Sequence, residues 1–299
     1  MIKLSIPLSL LLMVGCAARQ TPVTPMPAPA RGAGLSAGSA ARTVVFIHGM
    51  FVTPRCWQAW ETYFQARGYR TVAPAWPEHE RPISEQRHRH PSPALAQLTL
   101  EELVRYHREV IKGLDLSEDQ KPILIGHSMG GLVVQLLLQE GIGAAGVAID
   151  SAPPKGVISL RWSFLRSNWH AISPFASLDE PISMSPAAFA YAFTNTLSPA
   201  EQAAAYEEHI VPESRRVGKG PTTAAGAIDF RKPRPPLLLI AGEQDRIIPA
   251  SLNRKNYERY QASPALTSFQ EFPGRDHWLI ASTGWQEVAD YALAWLAAP

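Results

Sequence analysis

The chain has 299 residues, 46% of them hydrophobic and 18% charged, a balance that can bury a sizeable core and excludes a disordered or fibrous protein. Its 28 Lys and Arg against 26 Asp and Glu leave a formal charge of +2, with no basic surplus to neutralise a run of phosphates, which argues against nucleic-acid binding. Two cysteines, Cys16 and Cys56, supply neither a disulfide framework nor a zinc knuckle, and no metal is expected.

Residues 1–15 read as an export signal. Lys3 is a minimal basic start, and Leu4 to Val14 is an apolar run too short to span a bilayer. Met13-Val14-Gly15-Cys16 resembles a bacterial lipobox, although Met stands where Leu is more usual. That resemblance implies lipidation of Cys16 as the first residue of the mature chain; an ordinary cleaved signal with an incidental cysteine is the alternative. Residues 16–41, with Pro22, Pro25, Pro27 and Pro29 among small residues, have no hydrophobic period and read as a tether. The expected location is the periplasmic side of a bacterial membrane, anchored there or free in the periplasm if Cys16 carries no lipid. Cys56 is then a lone thiol, expected in the core.

Strands and helices alternate from residue 43. Thr43 to His48 is a short apolar run ending at Gly49, as in a buried parallel strand. Pro54 opens a helix with Cys56, Trp57, Trp60, Tyr63 and Phe64 on one face, closed by Gly68. Arg70 to Ala75 is a second strand. Pro77 to Pro93 reads as a polar, solvated loop; its His79, His88 and His90 lack the spacing of metal ligands. Thr99 and Glu102 make a capping box for the next helix. The strand ending at Gly126 leads into Gly126-His127-Ser128-Met129-Gly130, followed by an apolar helix over Leu132 to Leu138.

Such a GxSxG element turns sharply from strand to helix. It holds the serine in a strained conformation with its hydroxyl exposed, and glycines on both sides let the backbones approach. Ser128 is therefore the candidate nucleophile, and the helix N-terminus beside it favours developing negative charge. Gly141 to Gly146 spells GxGxxG, but a helix precedes it and a strand follows. That is the reverse of a dinucleotide site, and no nicotinamide cofactor is implied.

Gly146–Ile149, Leu237–Ile240 and Thr267–Phe272 complete the strands. Residues 153–235 separate two of them by far more than a loop and read as an inserted cap. It carries Trp162, Phe164, Trp169, Phe175, Phe189, Tyr191 and Phe193, and Ser198 to Glu201 starts one of its helices. Some of these aromatics, Trp162 and Trp169 among them, are expected to wall an apolar substrate pocket opposite Phe51; the alternative is that they only join cap to body. The last helix buries Trp285, Val288, Ala292 and Trp295.

A serine hydroxyl needs a base and the base an orienting acid. His277, after the last strand in Gly274-Arg-Asp-His277-Trp278, is the candidate base. Asp245, in Gly242-Glu-Gln-Asp245 after the preceding strand, is the preferred acid, and Asp150 at the end of another strand is its competitor. Met129 N–H and Met50 N–H are the expected donors to the oxyanion.

Taken in order, His48-Gly49-Met50-Phe51, the Ser128 element, the Asp245 loop and the His277 loop make the chain resemble the α/β-hydrolase family over residues 43–298. The resemblance implies an α/β fold, a mostly parallel sheet of about six strands flanked by helices. The family's first two antiparallel strands have no room after the tether. It also implies a domain over residues 42–298 that hydrolyses carboxylic esters without a cofactor, and an aromatic-walled pocket under the cap would favour small to medium apolar acyl groups. C–C bond lyases and cofactor-free haloperoxidases share this scaffold, and a non-catalytic binding module is a third reading.

Overall fold

Four apolar runs and two more-polar edge segments pair into one all-parallel sheet: β1 (Thr43–Ile47), β2 (Arg70–Val72), β3 (Ile123–His127), β4 (Ala145–Ile149), β5 (Leu237–Gly242) and β6 (Thr267–Phe272). Their order is β2-β1-β3-β4-β5-β6. Every residue of β1, β3, β4 and β5 is buried, which is why these strands read as continuous apolar runs rather than alternating ones. The computed structural model describes residue 29 and residues 31–35, 42–173 and 175–298. The direction of winding reverses between β1 and β3, and such a switch opens a crevice at the strands' carboxyl ends.

Helices cover both faces: α1 (Gln58–Gln65), α2 (Ile83–His88), α3 (Pro93–Gln97), α4 (Leu100–Lys112), α5 (Met129–Gln139), α6 (Trp162–Ile172), α7 (Pro186–Ala192), α8 (Pro199–His209), α9 (Arg215–Lys219), α10 (Ala250–Arg259) and α11 (Gln286–Ala297). The Thr99–Glu102 and Ser198–Glu201 boxes form at the starts of α4 and α8 as their spacing predicts. Beside β1, the Phe46 ring meets Trp57 at 5.1 Å and Phe64 at 5.4 Å. Each such pair contributes roughly 0.5–1.5 kcal/mol beyond its buried area. Cys56 lies buried in this cluster as a free thiol, its pKa pushed up by burial.

Residues 153–235 contain α6 to α9, and a two-way backbone bridge between Ile182 and Glu213 ties them together. Pro77 to Pro93 differs from its expected form. It holds α2, and His79 is buried rather than solvated, because Glu213 from the insertion reaches it. The signal segment and Cys16 lie outside the described residues. Within the expected tether, Ala33 N–H donates to Trp295 O at 2.9 Å and Gly34 N–H to Ala298 O at 2.7 Å, so this piece lies along the end of α11. No helix among the described residues is long and apolar enough to cross a membrane.

Candidate active site

Between β3 and α5 the chain reverses at a single residue, Ser128, whose φ of 57° and ψ of −119° cost a non-glycine residue about 1–3 kcal/mol. The neighbours hold it there. Ser128 N–H donates to Ile149 O at 2.9 Å, and its carbonyl accepts from Ala152 N–H at 2.9 Å. The flanking glycines are obligatory for a measurable reason. A Cβ on Gly126 would lie 2.2 Å from Gly130 O, and one on Gly130 would lie 2.1 Å from Ile47 O.

The loop after β6 brings His277 to the same end of the sheet, fully buried. Its Nδ1–H donates to Asp245 Oδ2 at 2.6 Å, while its Nε2 is buried without a hydrogen-bond partner. Burial pushes the imidazole pKa down to about 3, against the raising effect of the Asp276 carboxylate, so the ring is neutral. A neutral ring with Nδ1 protonated keeps a bare lone pair on Nε2, which is what a proton acceptor requires. His127 packs its ring 4.5 Å from that of His277 and donates from Nε2 to His277 O at 2.8 Å.

Both candidate acids reach this histidine, unequally. Asp245 Oδ1 accepts from the Ile247 and Ile248 amides, each at 2.8 Å, leaving Oδ2 for the imidazole. Asp150 sits after β4 at φ 43°; its Oδ1 accepts from Gly242 N–H at 2.8 Å and its Oδ2 stands 3.9 Å from His277 Nδ1. Burial, then the neighbouring Asp245, hold the Asp150 carboxyl well above the usual range. Burial raises Asp245 too, but the two amides oppose it, so the negative charge of the pair belongs on Asp245. A proton held on Asp150 leaves one negative charge on the two adjacent buried carboxyls and can be shared toward Asp245.

One ligand-type atom each from His127, Asp150 and His277 lie within 4.8 Å of one another. His277 in that set is already committed to Asp245, and its two companions are each bonded to the backbone, so the arrangement suits proton transfer better than a cation.

The loop after β1 passes close beside the serine. A Cβ on Gly49 would sit 2.8 Å from Ser128 Cβ. Met50 and Phe51 follow, and together with Ser128 and Met129 they line a cavity of about 460 Å³. Phe51 is held at φ 67°: its carbonyl accepts from Val211 N–H at 2.9 Å and its N–H donates to Glu213 Oε2 at 3.4 Å. Glu213 is buried, 3.3 Å from His79 Nε2. Burial lowers the His79 pKa, but the Glu213 charge and hydrogen bond outweigh it and the net shift is upward. Nothing in the sequence flags this pair, since neither residue lies in a motif and only the folded insertion brings them together.

Phe164, Tyr191, Phe193 and Ile247 make the cavity wall mostly apolar, and the Phe193 ring stands edge-on to His277 at 4.7 Å. Trp162 and Trp169, expected in that wall, do not line it. They are 73% and 51% exposed. The cause is helical geometry: Phe164, Asn168 and Ala171 turn one face of α6 to the cavity, which leaves positions 162 and 169 on the opposite face.

Residues 44–291 match the model of the alpha/beta hydrolase family. No curated protein matches the chain in sequence. Among solved structures, a monoacylglycerol lipase from Paleococcus ferrophilus is similar, with a TM-score of 0.61 and 19% identity over 85% of this chain and 93% of its own. A methylesterase from Arabidopsis superposes with a TM-score of 0.59 at 17% identity, covering 85% of this chain and 98% of that one. A pyrethroid hydrolase from Sphingobium faniae gives 0.57 at 18% identity over 84% and 97%. At these identities the likeness is one of fold.

Proposed function

The chain belongs to the alpha/beta hydrolase family, and from that premise we propose that it is a serine hydrolase of carboxylic esters. Ser128 Oγ attacks the ester carbonyl and passes its proton to His277 Nε2, while ionised Asp245 stabilises the imidazolium that forms. Met50 and Met129 amides donate to the oxyanion. The imidazolium then protonates the departing alcohol, and water, activated by the same base, releases the acyl group from Ser128. No cofactor is needed.

The single observation that carries this reading is the arrangement at the strand ends. A strained serine faces an apolar cavity, and a neutral imidazole with a free Nε2 is braced at 2.6 Å by a carboxylate. The wall supplied by Phe51, Phe164 and Phe193 supports short to medium apolar acyl groups. Each CH₂ buried there contributes about 0.8 kcal/mol, or nearly fourfold in kcat/KM. A series of p-nitrophenyl esters should therefore rise stepwise in kcat/KM until the cavity is full. A flat series, unmoved by Phe164→Ala or Phe193→Ala, would remove the cavity from the account. Lipidation at Cys16 would hold the enzyme on the periplasmic side of a bacterial membrane, and Cys16→Ser should then release it into the soluble fraction.

A further inference from the structure

The strongly exposed large hydrophobic side chains among the described residues all fall in one segment: Ile158, Leu160, Trp162, Trp169 and Phe175. Leu160 is 83% exposed and Phe175 90%. Water around so much apolar surface is unfavourable, and a patch of this kind marks a docking surface. The helix at its centre, α6, has two working faces. Phe164, Asn168 and Ala171 wall the cavity that holds Ser128, while Trp162 and Trp169, seven residues apart, look outward. Whatever covers the outer face therefore lies one helix thickness from the cavity.

The charges select the occupant. Residues 151–178 contain Lys155, Arg161, Arg166 and His170 and no Asp or Glu. Lys155, Arg161 and Arg166 are exposed, and the next acid, Asp179, is paired with Arg216 at 2.6 Å. A two-fold contact with a second copy would set this basic patch against itself. An anionic lipid surface answers both features, because Trp and Phe settle at the depth of the headgroups while Lys and Arg meet the phosphates.

The geometry points to segment 158–175 as a docking surface for an anionic lipid bilayer, laid so that α6 sits in the headgroup layer with the cavity behind it. Lipid-borne esters would then enter without crossing bulk water. The inference extends the hydrolase reading by naming the phase from which substrate arrives, and rests on it for that alone.

The test mixes the full chain with vesicles of phosphatidylglycerol and phosphatidylcholine carrying brominated acyl chains. Trp57, Trp60, Trp76, Trp278 and Trp295 are buried and Trp285, half-buried, stacks on Trp60 at 5.8 Å outside the segment, so the part of the quenching that is lost in Trp162→Phe/Trp169→Phe reports these two residues. Quenching should saturate with vesicles. It should disappear in Trp162→Phe/Trp169→Phe, and its midpoint should rise about tenfold or more when phosphatidylglycerol is left out. Leu160→Ser/Phe175→Ser should weaken it about tenfold while leaving the melting temperature and turnover of a water-soluble short ester unchanged. Absence of quenching, or quenching indifferent to both double variants, overturns the inference. So does a dimer in sedimentation that these substitutions dissolve, which would give the patch to a second copy. A chain that is quenched as described but turns over no ester would sink the hydrolase reading and leave the docking surface standing.

Discussion

Exchanging each of the two buried acids for its amide should have opposite consequences. In Asp245→Asn, the amide oxygen must stay at the Oδ1 position, because the Ile247 and Ile248 amides donate there at 2.8 Å each. Flipping the side chain would turn its NH₂ against two N–H donors and forfeit both bonds, which costs roughly 2–6 kcal/mol at 1–3 for each unsatisfied group. The NH₂ is therefore forced toward His277 Nδ1, 2.6 Å away in the native pair. Two donors cannot share that contact, so the imidazole moves its proton to Nε2 and loses the lone pair that the proposed mechanism needs as proton acceptor. By the serine-protease template the wrong tautomer lowers kcat on the order of 10⁴-fold, about 5 kcal/mol. Asp150→Asn is different. Its oxygen can keep the Gly242 amide at 2.8 Å, and its NH₂ can replace the proton that the raised Asp150 carboxyl donates to Asp245. Activity should stay within about tenfold. Steady-state kinetics on a chromogenic butyrate ester, with melting curves to confirm folding, make the comparison. A crippled Asp150→Asn beside a nearly normal Asp245→Asn would make Asp150, not Asp245, the acid that orients His277.

Three further outcomes follow from the geometry. Gly130→Ala puts a Cβ 2.1 Å from Ile47 O and 2.5 Å from His48 O, both backbone; it should lower stability by roughly 1–3 kcal/mol or more and displace the serine, seen as a lower melting temperature with lost turnover. Glu213→Ala removes the partner of buried His79 and the acceptor of Phe51 N–H; a loss of about 3–5 kcal/mol is expected in denaturant unfolding, and an unchanged midpoint would show the pair to be idle. Burial pushes His107 and His209 down to about 4, and holds His48 and His127 low as well. Their folded pKa values lie below the unfolded 6.5, so the stability they contribute is full above that pH and is lost as pH falls toward 4. Each contributes a slope of up to about 1.4 kcal/mol per pH unit. The Asp150, Asp245 and Glu61 carboxyls and His79, all raised, work in the opposite sense, but His277, pushed down to about 3, joins the four lowered histidines; melting temperatures should fall between pH 7 and 5.

How far the chain could be read depended on the range of the interactions involved. The strands were legible because sheets buried on both faces leave continuous apolar runs, and the turn at Ser128 because its glycines are dictated by backbones that nearly touch. Asp245 and Asp150 could be ranked by chain order, but only coordinates give 2.6 Å for one and 3.9 Å for the other from the same imidazole nitrogen. The insertion was legible as an insertion and not as a surface. Which of its aromatics face the cavity is set by the rotation of α6, and an aromatic-rich helix with two apolar faces has no polar side to fix that rotation in advance. Trp162 and Trp169 were misplaced for this reason. The buried His79–Glu213 contact joins two unremarkable loops, and no local pattern announces such a pair.

The central claim is that Ser128 is a nucleophile activated by His277, and covalent capture tests it with least intervening inference. The full chain is treated with a fluorophosphonate, digested, and its peptides weighed. One adduct is expected, on the peptide containing Ser128, absent in Ser128→Ala and slowed by orders of magnitude in His277→Ala at unchanged melting temperature. Labelling that persists in Ser128→Ala, or proceeds as fast without His277, would contradict it.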